Sequence, residues 1–156
     1  MNGRTVFIAI RHGNYDGNQN LSPAGMRQMM AIAEKVQDIN VDYLPVILLC
    51  STAPRAEQGG NILGRVLRIP PERMIFDQSL WDDNTHFGDR NRVRKLIDEN
   101  LREGGILLGL SHLDMVPHMA YYVASKFGHD TMGFSDSGYG RGWLVNENGI
   151  SRFPQL

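Results

Sequence analysis

Short apolar segments recur along the chain at residues 6–10, 46–50 and 106–110. Each has five consecutive residues with no polar alternation, and they are rich in valine, isoleucine and leucine. Uninterrupted runs of this length are typical of strands buried on both faces, as in parallel sheets. They predict three core strands, and residues 73–76 predict a shorter fourth one.

Helical spacing of apolar residues fills the intervals between these strands. Ser22 followed by Pro23 predicts an N-cap and a helix running to about residue 38, with Met26, Met29 and Met30 packed in the core. Further helices are predicted over residues 54–67, from about 93 to 101, and from about 113 to 127, with Ser111 as the N-cap of the last one.

Residues 142–146 and 149–153 predict a C-terminal hairpin. Strands alternating with helices indicate an α/β fold, a three-layer sandwich in which helices flank a mostly parallel central sheet. The length of 156 residues predicts one domain over residues 1–156, with a minimal cap over the site.

Composition excludes several classes of protein. Sixteen basic and 17 acidic residues give a net charge of −1, which argues against a nucleic-acid partner. A single cysteine, Cys50, excludes a disulfide framework and a multi-cysteine metal site, and its apolar strand predicts that it is buried and inert. No apolar run approaches the roughly 20 residues that span a bilayer, so we expect no membrane partner and a cytoplasmic location.

Candidate chemistry collects where the predicted strands end. Arg11 and His12 follow the first strand, Arg55 follows the second, and His112 follows the third. Because the carboxyl ends of parallel strands meet at one edge of the sheet, these side chains are expected to converge. Two guanidinium groups match the oxygens of a phosphate dianion.

A histidine among arginines is expected to be neutral, because nearby positive charge disfavours its protonation. A neutral ring nitrogen has a free lone pair that can attack phosphorus, and arginines can stabilise the charge of the transferring phosphoryl group without a metal. The pattern therefore favours metal-independent phosphoryl transfer with no cofactor.

Four segments of the chain, in order, resemble the histidine phosphatase superfamily of phosphoglycerate-mutase-like enzymes. They are Arg11-His12-Gly13, residues 21–28 (LSPAGMRQ), residues 51–58 (STAPRAEQ) and Ser111-His112. Asn18 lies where many members keep a phosphate-contacting asparagine.

The resemblance implies that His12 is the phosphorylated nucleophile and that Arg11, Arg55 and His112 bind the phosphoryl group. Many members place a glutamate acid after the third strand, where this chain has Leu80-Trp81-Asp82. Asp82 is therefore the candidate general acid, with Asp83 as the alternative.

About thirty residues separate Leu80 from His112, which predicts a short cap and an open pocket similar to that of the small SixA-type phosphohistidine phosphatases. The expected function is an enzyme, a phosphatase acting on a phosphorylated small molecule or on a protein phosphohistidine. Two alternatives stay open: a mutase that returns the phosphoryl group to a second hydroxyl, and a weakly active phosphate-binding module.

Overall fold

The computed structural model describes residues 4–131 and 138–155, which form six strands and four α-helices. The strands are β1 (Thr5–Arg11), β2 (Val46–Cys50), β3 (Met74–Phe76), β4 (Gly105–Ser111), β5 (Gly142–Asn146) and β6 (Gly149–Phe153). The helices are α1 (Pro23–Ile39), α2 (Pro54–Val66), α3 (Arg90–Asn100) and α4 (Met115–Lys126).

All six strands lie in one sheet with the order β3-β2-β4-β1-β5-β6. The four strands β1 to β4 run parallel, and β5 and β6 add an antiparallel hairpin beside β1. Arg11 pairs in register with Ser111, and Cys50 with Leu110. The segments that follow β1, β2 and β4 therefore leave the sheet at the same edge.

Alternate strand residues face two separate cores, one on each side of the sheet. Ile8, Leu48 and Leu108 pack with α1 and α2, whereas Phe7 and Leu107 pack with α3 and α4. The result is the predicted three-layer α/β sandwich. None of the helices in the described ranges is long and apolar enough to cross a membrane.

The first helix begins as predicted, because the Ser22 hydroxyl accepts a hydrogen bond from the Gly25 amide at 3.0 Å. The prediction for its methionines is wrong for two of the three. Met29 is fully buried, but Met26 and Met30 are 46% and 49% exposed. The buried face of α1 continues from Met29 through Ile32. Because an α-helix has 3.6 residues per turn, Met26 and Met30 lie beside this face and point outward.

Ser111 is not the N-cap predicted for the last helix. It is the final residue of β4, and its hydroxyl donates a 2.6 Å hydrogen bond to the carbonyl oxygen of Leu80. The helix begins later, at Met115, with Asp114 at the cap position. Ser111 thus ties the strand that carries His112 to the segment that carries Asp82.

Candidate active site

The four residues predicted to converge do so in one small cavity at the carboxyl edge of the parallel strands. Its volume is about 140 Å³. The residues that line it are Arg11, His12, Tyr15, Arg55, Asp82, Asp83, Asn84, His112, Leu113 and Asp114. His12, Arg55 and His112 are each only 2% exposed, which is unusual for ionisable side chains and sets up their chemistry.

The imidazole of His12 is held in a defined orientation by both of its nitrogens. Nδ1 lies 2.8 Å from the carbonyl oxygen of Gly13, and Nε2 lies 3.2 Å from Nε of Arg55. A carbonyl only accepts and a guanidinium only donates hydrogen bonds. These partners therefore place the proton on Nδ1 and leave Nε2 with a lone pair.

Burial lowers the pKa of His12 from 6.5 to about 4. The hydrogen bond to the Gly13 carbonyl and the charge of Asp83 oppose this shift, while the charges of Arg55 and Arg11 add to it. At neutral pH the ring is uncharged, so its Nε2 lone pair is available for attack on an electrophile.

His112 lies beside His12, with ring centroids 4.9 Å apart. Its Nδ1 faces Nη2 of Arg55 at 3.3 Å, and its Nε2 lies 2.9 Å from the Ser51 hydroxyl. Burial, followed by the neighbouring His12 and Arg55, lowers its pKa to about 3. With Nδ1 accepting from Arg55, His112 keeps a proton on Nε2 and Ser51 fixes the ring.

Arg55 connects the elements of the site. In addition to the two histidines, its Nη1 donates to the side-chain oxygen of Gln19, and its Nη2 donates to Asp83 at 2.7 Å. Its guanidinium also lies over the ring of Tyr15, 4.5 Å from the centroid. Arg55 is the second residue of α2, so the start of this helix delivers a cation to the cavity.

The two candidate acids have different environments. Asp83 accepts from Arg55, from the Trp81 indole at 2.8 Å, and from the amides of Thr85 and His86 at 2.9 and 2.8 Å. Although burial alone would raise it, these hydrogen bonds hold the pKa of Asp83 well below its usual range. Asp83 is thus ionised. Asp82 lines the cavity as well, but within the described residues its side chain accepts only a long hydrogen bond, 3.4 Å, from the Gly88 amide.

Arg11 brings a second guanidinium group to the cavity. Its guanidinium lies over the ring of Tyr139, 4.1 Å from the centroid, and that ring is also 5.8 Å from the ring of His12. An aromatic face stabilises a cation without neutralising it. Arg11 and Arg55, each stacked on a tyrosine, therefore bring two guanidinium groups to the cavity, where Asp83 is paired with that of Arg55.

Five predicted site residues line this cavity together: Arg11, His12, Arg55, His112 and Asp82. Asn18 does not line the cavity, since its side chain is exposed. Its backbone N–H donates to the Asp16 carboxylate in the loop after β1. The neighbouring Gln19 makes the contact to Arg55 instead. Its φ of 70° turns the backbone at that point, which residue spacing could not predict.

Sequence reasoning missed Tyr15, Gln19 and Tyr139. Tyr15 lies three residues after His12 in the same loop, and this proximity in the sequence could have indicated that it belongs to the site. Tyr139 carries no signal of its own, because it reaches the site only through the packing of the segment before β5 against β1.

Comparison with known proteins identifies solved structures that share this fold. No family model and no curated protein matches the sequence. Among solved structures, a protein histidine phosphatase SixA complexed with tungstate is 19% identical, with a TM-score of 0.62 over 97% of this chain and 96% of its own. A mycobacterial glucosyl-3-phosphoglycerate phosphatase is 14% identical, with a TM-score of 0.59 over 97% and 96% of the two chains.

A phosphoglycerate mutase from Plasmodium falciparum is 15% identical, with a TM-score of 0.59 over 96% of this chain and 89% of its own. Near-complete coverage of both chains shows that this protein has the α/β fold that these two phosphatases and the phosphoglycerate mutase share. The fold predicted from the resemblance is confirmed.

Proposed function

We propose that this protein is a phosphatase that hydrolyses a phosphomonoester or a protein phosphohistidine through a covalent phosphohistidine on His12. One observation carries the proposal: His12 Nε2, an unprotonated nitrogen that accepts from Arg55, lines the same cavity as Arg11, Arg55 and His112. A neutral nucleophile beside two guanidinium cations is suited to attack on a phosphoryl group.

In the first step, oxygens of the phosphoryl group bind Arg11 and Arg55, and His112 binds a third oxygen once its Nδ1, released by Arg55, takes up the proton of a substrate monoanion. Nε2 of His12 attacks phosphorus, a P–N bond forms, and the bond from phosphorus to the leaving group breaks. The Gly13 carbonyl stabilises the positive charge that the ring then carries, because Nδ1 keeps its proton. Asp82, the proposed general acid, protonates the leaving group as it departs.

In the second step, a water molecule attacks phosphorus from the opposite side and the P–N bond breaks. The Asp82 carboxylate takes a proton from this water, inorganic phosphate leaves, and His12 returns to its neutral form. The two guanidiniums neutralise the phosphoryl charge, a role that Mg²⁺ fills in many other phosphoryl transfers. We therefore propose that activity needs no divalent metal and persists in EDTA.

The short connection between β3 and β4 supports a protein substrate over a deeply enclosed sugar phosphate. One helix, α3, occupies residues 90–100 of this connection, and the residues 81–89 before it form the cap on this side of the cavity. A cap this short can admit a side chain projecting from another protein. The fold shared with a protein histidine phosphatase SixA agrees with this choice.

The test is to trap the intermediate. The protein is incubated with ³²P-labelled p-nitrophenyl phosphate or a phosphohistidine protein, quenched in base, and mapped for label. We expect acid-labile label on His12, hydrolysis by the parent protein and by His129→Asn, a histidine outside the cavity, and loss of both signals in His12→Ala. Hydrolysis that survives His12→Ala would show that another group is the nucleophile. Discharge of the label to an added sugar phosphate rather than to water would identify a mutase.

A further inference from the structure

The guanidinium of Arg55 occupies the space that a phosphoryl group needs. Its Nε donates a hydrogen bond to Nε2 of His12 at 3.2 Å, so it occupies the lone pair of the nucleophile. A phosphorus atom about to be attacked must lie at about 3–3.5 Å from the same nitrogen. Arg55 and the reacting phosphorus cannot both be there, so Arg55 has to move away from His12 before the reaction.

A carboxylate holds Arg55 in this position. Asp83 accepts from Nη2 at 2.7 Å, and the side chains of the pair are only 3% and 22% exposed. In the described ranges it is the one carboxylate paired with Arg55. A charge-assisted hydrogen bond in such a setting is stronger than an exposed ion pair. A phosphoryl oxygen that binds Nη2 must compete with this carboxylate.

Asp83 is also the centre of the loop between β3 and α3. Its Oδ1 accepts from the Thr85 and His86 amides, and its Oδ2 accepts from the Trp81 indole as well as from Arg55. The Trp81 and His86 rings stack with centroids 3.6 Å apart. Release of Arg55 by Asp83 therefore changes the surroundings of the Trp81 indole N–H directly.

We propose that Asp83 is a positioning residue that acts as a latch: it keeps Arg55 against His12 in the free protein and yields Arg55 to the incoming phosphoryl group. The inference rests on the proposed function in one respect, that the ligand of the cavity is a phosphoryl group. It assigns Asp83 a role in anion affinity and none in proton donation.

Charge explains why a phosphoryl group displaces the latch and weaker anions do not. A phosphate dianion brings two negative charges to Arg55 and Arg11, whereas Asp83 brings one, so the exchange favours phosphate. A carboxylate ligand such as acetate offers Arg55 no more charge than Asp83 already provides. The latch thus makes the cavity selective for dianionic phosphoryl groups over monoanions.

The unmodified protein provides the first test. In ¹⁵N-labelled protein the two tryptophan indoles, Trp81 and Trp143, give separate N–H signals, which Trp81→Phe assigns. Titration with inorganic phosphate is expected to shift the Trp81 signal and leave that of Trp143, on β5, unchanged. Saturable phosphate binding with an unmoved Trp81 signal would overturn the proposal, because the latch would not have opened.

Asp83→Asn provides the second test, with phosphate affinity measured by calorimetry. Removal of one charge-assisted contact that competes with the ligand is expected to tighten phosphate binding about tenfold. The same change should allow acetate to bind measurably. Asp42→Asn is the matched control, since it removes a carboxylate from an exposed pair with Arg4 outside the cavity lining and should leave phosphate affinity as it is.

Equal or weaker phosphate binding by folded Asp83→Asn would overturn the latch while leaving the phosphatase proposal intact. If phosphate binds neither the parent nor the variant and no label forms on His12, the proposed function itself fails and the latch fails with it. If Asp83→Asn does not fold, the Trp81 signal of the parent protein decides the question alone.

Discussion

Burial is the main reason why the pKa values of the two site histidines are lowered and both rings are neutral. The sequence predicted the neutral state of His12 from the neighbouring arginines, but burial lowers its pKa more than Arg55 and Arg11 do. His112 follows the same order of causes. Both effects disfavour the charged ring, so the sequence-based prediction was right about the state and incomplete about the reason.

The activity of the proposed phosphatase should therefore persist to a lower pH than a histidine nucleophile with an ordinary pKa would allow. His12 must be unprotonated to attack, and its pKa is lowered to about 4, so kcat/KM should not fall as pH decreases from 7 to 5 on account of this residue. Protonation of His12 should decrease kcat/KM as pH approaches 4. The measurement is kcat/KM against pH with p-nitrophenyl phosphate, corrected for the ionisation of the substrate. An inflection near 6.5 would contradict the neutral, buried nucleophile.

At the scale of elements, the loop after β1 and the first turn of α1 come into direct backbone contact. A Cβ at Gly25 would lie 2.0 Å from the carbonyl oxygen of Asn14, and one at Gly13 would lie 2.5 Å from the carbonyl oxygen of Gly25. Both distances are impossible contacts with backbone that cannot rotate away. These two glycines allow α1 to pack closely against the loop, and this packing holds the backbone that follows His12 in place.

Gly25→Ala should therefore destabilise the protein even though it lies in a helix. Alanine in place of glycine ordinarily stabilises a helix by about 1 kcal/mol. Here the clash should outweigh that gain and lower the free energy of unfolding by about 1–3 kcal/mol, as overpacking does. Displacement of the loop should lower kcat as well. Urea unfolding and p-nitrophenyl phosphate kinetics provide the measurements.

Gly17→Ala is the control for this prediction, because no atom lies within 4 Å of a Cβ at Gly17 in the same loop. It should change neither stability nor kcat appreciably. An unaltered Gly25→Ala protein would show that the loop and α1 are not in such close contact in solution.

For the whole molecule, the buried histidines link stability to pH. The pKa of His118, which lies outside the cavity lining, is also lowered to about 4, mainly by burial and then by Arg90 and Arg94. An unfolded chain binds protons at these three histidines below pH 6.5, whereas the native protein does not until about pH 4 or lower. Protons thus favour the unfolded state in this window.

Stability is accordingly expected to be greatest above pH 6.5 and to decrease as pH falls toward 4. The slope is at most about 1.4 kcal/mol per pH unit for each histidine. Urea unfolding at several pH values between 5 and 6.5 measures it, a range in which ordinary carboxylates stay ionised. His118→Gln should give a shallower slope than the parent protein. A stability that does not change over this range would contradict the lowered pKa values.

Local patterns in the sequence determined most of the elements of this protein. Uninterrupted apolar runs predicted β1, β2 and β4 to within a residue or so at each end, because a strand buried on both faces leaves no room for polar side chains. The same runs end at Arg11, Ser51 and Ser111, so the chemistry at their carboxyl ends could be read along with them. The hairpin of β5 and β6 has the predicted bounds.

Tertiary structure alone decided what the side chains do at the site. Nothing local to Asp83 distinguishes it from Asp82, yet both line the cavity and only Asp83 accepts a hydrogen bond from Arg55 in the described ranges. Gln19, and not the predicted Asn18, contacts Arg55, and Tyr139 contacts Arg11 although 128 positions separate them in the sequence. Partners brought together by the sheet order are many residues apart, and the hydrogen bonds, burial and charge that they exchange exist only once the chain has folded.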